Sequence, residues 1–314
     1  MQKALQPIGH KLILLTGMIF LSFTGVQAQQ EAMFTQYMFN GLALNPAYAG
    51  SHEALSTTFL FRDQWTGLPG APSTQTFSAH SPIRDGKIAL GLQFIHDKLA
   101  VFQQYGLNGA YAYRILTGKG TLSLGLQFGF TSYSAALSDL TPQVPNDPVF
   151  QGNVSKTMPN FGAGVYYYTN RFYIGLSAPQ LVTNSLTDDV VEIDADARQE
   201  RHYFLTAGHM FPLSHNVQLK PNILLKAVEG APLQMDLNLN VLFSEVLWLG
   251  VSWRSESDFN ALLELQITDQ LLLGYSYDFA QTTELSRVNS GSHELMVNYR
   301  FRYARNKVIT PRYF

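Results

Sequence analysis

The sequence predicts an all-β protein, a transmembrane antiparallel β-barrel of about 14 strands. Three observations support this fold class: many short stretches alternate apolar and polar residues, the chain begins with an export signal, and its connections alternate between short and long. Lipid cannot hydrogen-bond a strand edge, so a sheet within a membrane must close on itself. One face of the closed sheet then meets lipid and the other a polar interior.

The segment 234–241 shows the alternation best. Leu237 and Leu239 would face lipid, while Asp236 and Asn238 would face the interior. The same pattern recurs in the stretches 122–130, 247–254 and 273–279, with glycines on the inward side. Inward glycines are typical of a crowded or sharply curved wall, where one backbone approaches another. A soluble sandwich would also alternate, so the pattern alone does not decide the fold.

The first 28 residues predict a cleavable secretory signal peptide. Lys3 and Lys11 precede an apolar run, and small residues, Val26 and Ala28, stand at the cleavage positions. The run is shorter than the roughly 20 residues that a spanning helix needs, which disfavours a membrane anchor. The chain contains no cysteine, which excludes disulfides, thiolate chemistry and a lipoprotein anchor.

Composition disfavours two further classes of protein. The 21 basic and 23 acidic residues give a net charge of −2, without the clustered basic excess of a nucleic-acid-binding protein. No second long apolar run follows the signal, which excludes a bundle of membrane helices. The 16 tyrosines and 21 phenylalanines could form the aromatic girdles of an outer-membrane barrel.

The strand pattern predicts one barrel domain, residues 51–314, with a periplasmic C-terminal tail. The predicted strands are 54–64, 73–82, 86–96, 104–115, 119–132, 159–169, 171–178, 200–211, 216–226, 232–243, 246–254, 258–267, 270–279 and 292–302. Tight connections at 83–85, 116–119, 170, 212–215, 244–245 and 268–269 alternate with longer ones at 65–72, 97–103, 133–159, 179–199, 227–231 and 280–291, 255–257 being a short exception. This rhythm is typical of barrels with short periplasmic turns and longer outer loops.

Residues 29–50 do not alternate cleanly and precede the first strand. Met33, Phe34, Tyr37 and Met38 suit one face of a short helix that ends at Gly41 or Pro46. We therefore expect an N-terminal segment that plugs the periplasmic mouth of the barrel. The alternative is a disordered leader, which so many aromatic residues disfavour.

Charged residues of both signs fall on the inward face. They are Arg62, Arg114, Asp236, Arg254, Glu264, Asp278, Glu294 and Arg300. A salt-bridge network that fills the lumen is the favoured interpretation, because buried charges are normally paired. The alternative is a selectivity constriction for a solute.

The sequence offers weak signals for catalysis or metal binding. Ser292, His293 and Glu294 have the residue types of a hydrolase triad, but neighbouring residues of a strand point to opposite faces of the sheet. The acidic stretch 188–196 could hold calcium, although it lacks the spacing of a calcium loop and a solvated loop explains it equally well. We therefore expect no catalytic residue, cofactor or metal.

Two outer loops are candidates for binding a partner. One presents Trp65, Leu68, Pro69 and Pro72, and the other presents Val149 and Phe150. Aromatic and apolar residues on a stiff loop can anchor another protein. The alternative is an ordered loop that folds back over the barrel.

Several short motifs resemble the PorP/SprF family of the type IX secretion system of Bacteroidota. They are Asn45-Pro-Ala-Tyr-Ala-Gly-Ser51, Arg62-Asp-Gln-Trp65, Gly70-Ala-Pro72, Ala79-His-Ser-Pro82, Tyr111-Ala-Tyr-Arg114, Pro159-Asn-Phe-Gly-Ala-Gly164, Gly175-Leu-Ser-Ala-Pro179, Leu273-Gly-Tyr-Ser-Tyr-Asp-Phe279, Gly291-Ser-His-Glu-Leu295 and Pro311-Arg-Tyr-Phe314. They follow the family order across essentially the whole chain after the signal.

The resemblance implies a non-enzymatic barrel in the outer membrane. Such a protein would support secretion or surface attachment of a cargo protein, such as a gliding adhesin with a type B C-terminal signal, together with other type IX components. A solute channel is the alternative function, and an outer-membrane hydrolase is a distant third.

Overall fold

The computed structural model describes residues 33–83, 85–139, 152–185, 198–255, 258–280 and 289–301. Within these ranges, fourteen long strands form a closed antiparallel barrel. The strands are β1 (Ser56–Asp63), β2 (Ser73–Ile83), β3 (Ile88–Leu99), β4 (Phe102–Leu116), β5 (Thr121–Ala135), β6 (Val154–Tyr168), β7 (Phe172–Gln180), β8 (His202–His209), β9 (Val217–Val228), β10 (Gln234–Phe243), β11 (Leu247–Arg254), β12 (Asp258–Gln266), β13 (Leu271–Ala280) and β14 (Ser292–Arg300). The predicted fold class is confirmed.

The ring closes between the first and last strands. Ser56 of β1 lies opposite Arg300 of β14, and Asp63 lies opposite His293. Consecutive strands pair around the rest of the ring, with an irregularity in β8 between His202 and Phe204. Closure removes the unpaired edges that lipid could not satisfy.

The two faces of the sheet differ as the alternation predicts. On β5, Leu126 and Phe128 point outward with 64% and 47% of their surface exposed. Ser123 and Gln127 on the same strand point inward and are buried. The exposed apolar side chains on the outer face would be unfavourable in water and are suited to contact with the acyl chains of a membrane.

Each predicted strand range overlaps one observed strand, but two connections differ from the expectation. The expected loop at 97–103 is a two-residue hairpin, because β3 and β4 continue to the pair Leu99–Phe102. Ala100 in this hairpin has a positive φ of 51°, as such tight turns require. Likewise, β5 and β6 extend to the pair Ala135–Val154, inside the expected loop at 133–159.

The connections define two ends of the barrel. Residues 117–120, 169–171, 244–246 and 267–270 form short turns at one end, here the turn end. The opposite end, here the loop end, carries residues 64–72, the end of β5 and start of β6, the end of β7 and start of β8, and the end of β13 and start of β14. Short turns face the periplasm in bacterial outer-membrane barrels, which assigns the turn end to that side.

Little regular structure lies outside the barrel wall in the described residues. Short 3-10 turns occur at Tyr37–Phe39, Gly41–Ala43, Pro46–Tyr48 and Leu137–Asp139. Two-residue ladders pair Asn184–Ser185 with Arg198–Gln199 and Phe211–Pro212 with β9. No helix among the described residues is long and apolar enough to cross a membrane.

Candidate functional site

The N-terminal segment lies inside the barrel. Residues 33–50, here the plug, run from the loop-end half of the lumen to the turn end, and residues 51–55, here the link, lead into β1. Thr35 contacts residues close to the loop end of β13 and β14, whereas Gly50 lies against Ala89 near the start of β3. The plug therefore extends well beyond the periplasmic mouth to which the sequence assigned it. Three 3-10 turns replace the expected short helix in this part of the described chain.

A cluster of buried polar groups, here the latch, binds the start of the plug. The Glu294 carboxylate accepts hydrogen bonds from the backbone N–H groups of Thr35 (2.9 Å) and Gln36 (2.8 Å). Arg62 donates to the same carboxylate at 3.1 Å and also forms an ion pair with Asp278. The Thr35 hydroxyl donates to Asp278 at 2.8 Å. Glu294, Arg62 and Asp278 are at most 3% exposed, so the latch satisfies charges that water does not reach.

Aromatic contacts bind the next residues of the plug. The Tyr37 hydroxyl accepts a hydrogen bond from the Asn238 side chain at 3.0 Å. Phe39 packs edge-on against Trp248, with ring centroids 5.4 Å apart. The Lys220 ammonium lies 4.6 Å from the Phe39 ring centroid and 5.5 Å from that of Trp248. This cation–π arrangement joins the plug to β9 and β11.

The Asn45–Pro46 step of the plug is held against β6 and β7. The Asn45 side chain accepts a hydrogen bond from Ala47 N–H and donates to the backbone oxygen of Val165 at 3.0 Å. The Ser177 hydroxyl donates to the backbone oxygen of Leu44 at 2.7 Å. On the adjoining strand, a Cβ at Gly125 would overlap the Ala47 backbone. The inward glycine thus marks a point where plug and wall approach each other closely.

The end of the plug packs among histidines near the turn end. His52 Nε2 lies 2.8 Å from the Tyr48 hydroxyl and 2.9 Å from Arg300 Nη2. Arginine can only donate, so Nε2 is an acceptor and the ring proton is on Nδ1. The Gly50 N–H donates to His80 Nδ1 at 3.1 Å. Burial raises the pKa of Tyr48 to about 12, so its hydroxyl stays protonated beside His52.

The structure distributes the predicted inward charges over several clusters. Arg62, Asp278 and Glu294 meet in the latch. Asp236 and Arg254 pair at 2.9 Å near the loop end. The other members are Arg114, which binds Glu53; Arg300, which binds His52; and Glu264, which interacts electrostatically with Lys220.

The sequence pattern does not predict several residues of the plug–wall contact. Thr35, Gln36 and Glu53 lie in the plug and link, where no strand period assigns a direction to side chains. Lys220 is buried on the inward face of β9. In the sequence, the alternation of the strand is the one signal that places its side chain on that face.

The three residues that resemble a hydrolase triad, Ser292, His293 and Glu294, do not meet at one site. Ser292 and Glu294 are buried on the inward face, whereas His293 binds the Tyr275 hydroxyl at 2.8 Å on the outward face. No group of three or more potential metal ligands occurs among the described residues. The acidic stretch 188–196 lies outside the described residues.

One of the candidate partner loops, residues 64–72, is hydrogen-bonded to residues 290–292 of the same chain at the loop end. Thr66 N–H donates to Gly291 O, and Ser290 N–H donates to Thr66 O, both at 2.9 Å. Trp65 has a positive φ of 50°, and its N–H donates to the Ser292 hydroxyl at 3.3 Å. Within this loop Pro69 is exposed, while Trp65, Leu68 and Pro72 are half-buried. Val149 and Phe150 of the second loop lie outside the described residues.

Comparison with solved structures finds other barrels. A Pseudomonas aeruginosa FadL homologue superposes with a TM-score of 0.50 at 14% identity, covering 83% of this chain and 94% of that one. The Ralstonia pickettii toluene transporter TbuX gives a TM-score of 0.49 at 10% identity, covering 83% and 93%. The FadL likeness shows the fold alone. No curated protein matches the sequence.

A family model decides the relationship of the chain. The model is described as "Type IX secretion system membrane protein PorP/SprF" and matches residues 26–299. The matched range includes the plug, the latch and nearly the whole barrel, and the barrel fold agrees with a location in the outer membrane. The chain therefore belongs to the PorP/SprF family of type IX secretion system membrane proteins.

Proposed function

We propose that this barrel is a non-enzymatic scaffold that helps to deliver a type IX cargo protein or to retain it at the cell surface. The cargo would be a large adhesin-like protein with a type B C-terminal signal. The observation that carries the proposal is the plug, which occupies the lumen and is bound by buried hydrogen bonds along its length. A barrel filled in this way serves better as a platform than as a passage.

The loop at residues 64–72 supports a docking role at the outer side. Hydrogen bonds to Gly291, Ser290 and Ser292 fix its backbone before any partner arrives. A pre-ordered loop loses little conformational entropy on binding, so its apolar side chains can contribute fully to affinity. We infer that Trp65, Leu68 and Pro69 form the contact surface for cargo.

Co-purification with the C-terminal domain of the cargo tests this role. The protein encoded by a neighbouring gene with a type B signal is the first cargo to try. We expect the wild type to retain this domain in detergent, and the double variant Trp65→Ala/Leu68→Ala to lose about tenfold in affinity or more. The variant Leu213→Ala serves as a control, because Leu213 is exposed at the turn end.

A deletion strain provides the matching test in cells. If the proposal is right, the cargo is depleted from the surface and restored by the wild-type gene. Unaltered cargo at the surface of the deletion strain would contradict the proposal, whatever the binding data show.

A further inference from the structure

A cavity of about 760 Å³ opens at the turn end of the barrel, away from the loops to which we assign cargo binding. Its rim is formed by the β4–β5 and β6–β7 turns, and its floor by the link and the end of β14. Its lining includes the charged and polar residues Lys119, Arg171, Arg300, Glu53, His52 and Tyr168. The cavity volume is within the range of ligand-binding pockets.

The charge of the cavity is strongly unbalanced. Among the described residues that line it, Lys119, Arg171 and Arg300 are cationic and Glu53 is the only acid. Lys119 and Arg171 are exposed on the rim, and Arg300 is half-buried below them. Glu53 is engaged from beneath by Arg114, which leaves the rim cations to face the opening. A concave site lined by one sign of charge attracts ligands of the opposite sign.

Hydrogen bonds hold both the rim and the floor in place. The Thr117 hydroxyl donates to the backbone oxygen of Gly120 at 2.7 Å and so fixes the turn that carries Lys119. The Thr169 hydroxyl accepts from the Arg171 N–H at 3.2 Å and fixes the second turn. Below them, Arg114 binds the Tyr168 hydroxyl at 2.6 Å. The cations are therefore displayed on a preformed scaffold.

We propose that this cavity binds an acidic peptide segment of a periplasmic partner protein. The turn end faces the periplasm, where such a segment can enter without crossing the membrane. A lipid headgroup fits less well, because Tyr166 and Arg300 lie on the inward face and not on the lipid-facing one. The occupant would also contact His52 and Glu53 of the link, beside the end of the plug.

Fluorescence anisotropy with the detergent-solubilised full chain tests the proposal. The probe is dye-labelled hexaglutamate, and dye-labelled hexaglutamine is its neutral counterpart. We expect saturable binding of hexaglutamate alone, weakened by salt because rim charges are screened. The double variant Lys119→Ala/Arg171→Ala should bind roughly three- to tenfold more weakly. Lys98→Ala, at an exposed lysine near the loop end, should bind like the wild type.

The variant Glu53→Gln gives a test of opposite sign. Removal of the acid from the lining should tighten hexaglutamate binding, an effect that general loss of structure would not produce. Heat-dependent migration in SDS gels verifies that every variant keeps its barrel. Binding that is equal in wild type and rim variants would overturn the proposal. Displacement of the peptide by lipid A or inorganic phosphate at equal concentration would also overturn it, since the site would then select phosphate.

Discussion

Glu294 binds the start of the plug directly. Its two carboxylate oxygens accept both plug N–H groups and face the Arg62 guanidinium, so each oxygen has a charged or strongly polar partner. An amide at this position would offer one oxygen where two acceptors are needed. The NH2 group of this amide would face N–H donors from which the second carboxylate oxygen now accepts hydrogen bonds, and two donors cannot bond to each other.

The substitution Glu294→Gln should therefore destabilise the plugged barrel. Removal of one partner from a buried ion pair typically costs about 3–5 kcal/mol. We expect a lower transition temperature in a heating series monitored by SDS-gel mobility. Glu229→Gln, at an exposed glutamate, is the matched control and should leave the transition unchanged. If both variants melt like the wild type, the latch does not hold the plug.

Gly125 provides a second test at the residue scale, based on space and not charge. A Cβ there would overlap the Ala47 backbone, so Gly125→Ala must push the plug away from the wall. Overpacking of this kind typically costs about 1–3 kcal/mol. Gly106→Ala is the control, because its Cβ would find its nearest neighbour, Ile95 Cβ, at 3.7 Å. Equal stability of the two variants would contradict the close contact.

The plug is best understood as one element bound at four places. Its start is held by the latch, Phe39 by β9 and β11, Asn45 by β6 and β7, and Gly50 by β2. These strands lie around the whole ring, so no single contact decides whether the segment remains inside. We expect that loss of the latch contacts weakens the binding of the plug inside the lumen but does not release the plug completely.

Cysteine labelling tests this expectation, because the chain has no native cysteine. Ala43→Cys places one thiol at a half-buried position of the plug. We expect slow reaction with a bulky maleimide in this variant and about tenfold faster reaction when Glu294→Gln is added, because the plug then leaves the wall more often. Rapid labelling of Ala43→Cys alone would show that the plug is not seated.

On the scale of the whole molecule, the sequence predicted the barrel well because the membrane imposes simple rules. Period-two alternation assigns faces strand by strand, and closure follows from the absence of hydrogen-bonding solvent in lipid. Leu126 outside and Ser123 inside illustrate this success. The loop expected at 97–103 is instead a hairpin, because both strands continue beyond the segment in which apolar and polar residues alternate.

The path of the plug could not be predicted in the same way. Thr35 and Glu294 are separated by 259 positions, and their contact depends on backbone N–H groups that every residue carries. No periodic pattern reports such a contact. The eight inward charges were predicted from the alternation, but their separation into several clusters depends on the route of residues 33–50 through the lumen.

The N-terminal segment fills the lumen, and we infer from this that the barrel is a scaffold and not an open channel. Conductance in planar bilayers tests it most directly, with the wild type compared to a variant that lacks residues 33–50. We predict a silent wild type and stable open-pore currents from the deletion variant. Open-pore currents from the wild type, equal to those of the deletion variant, would contradict the claim.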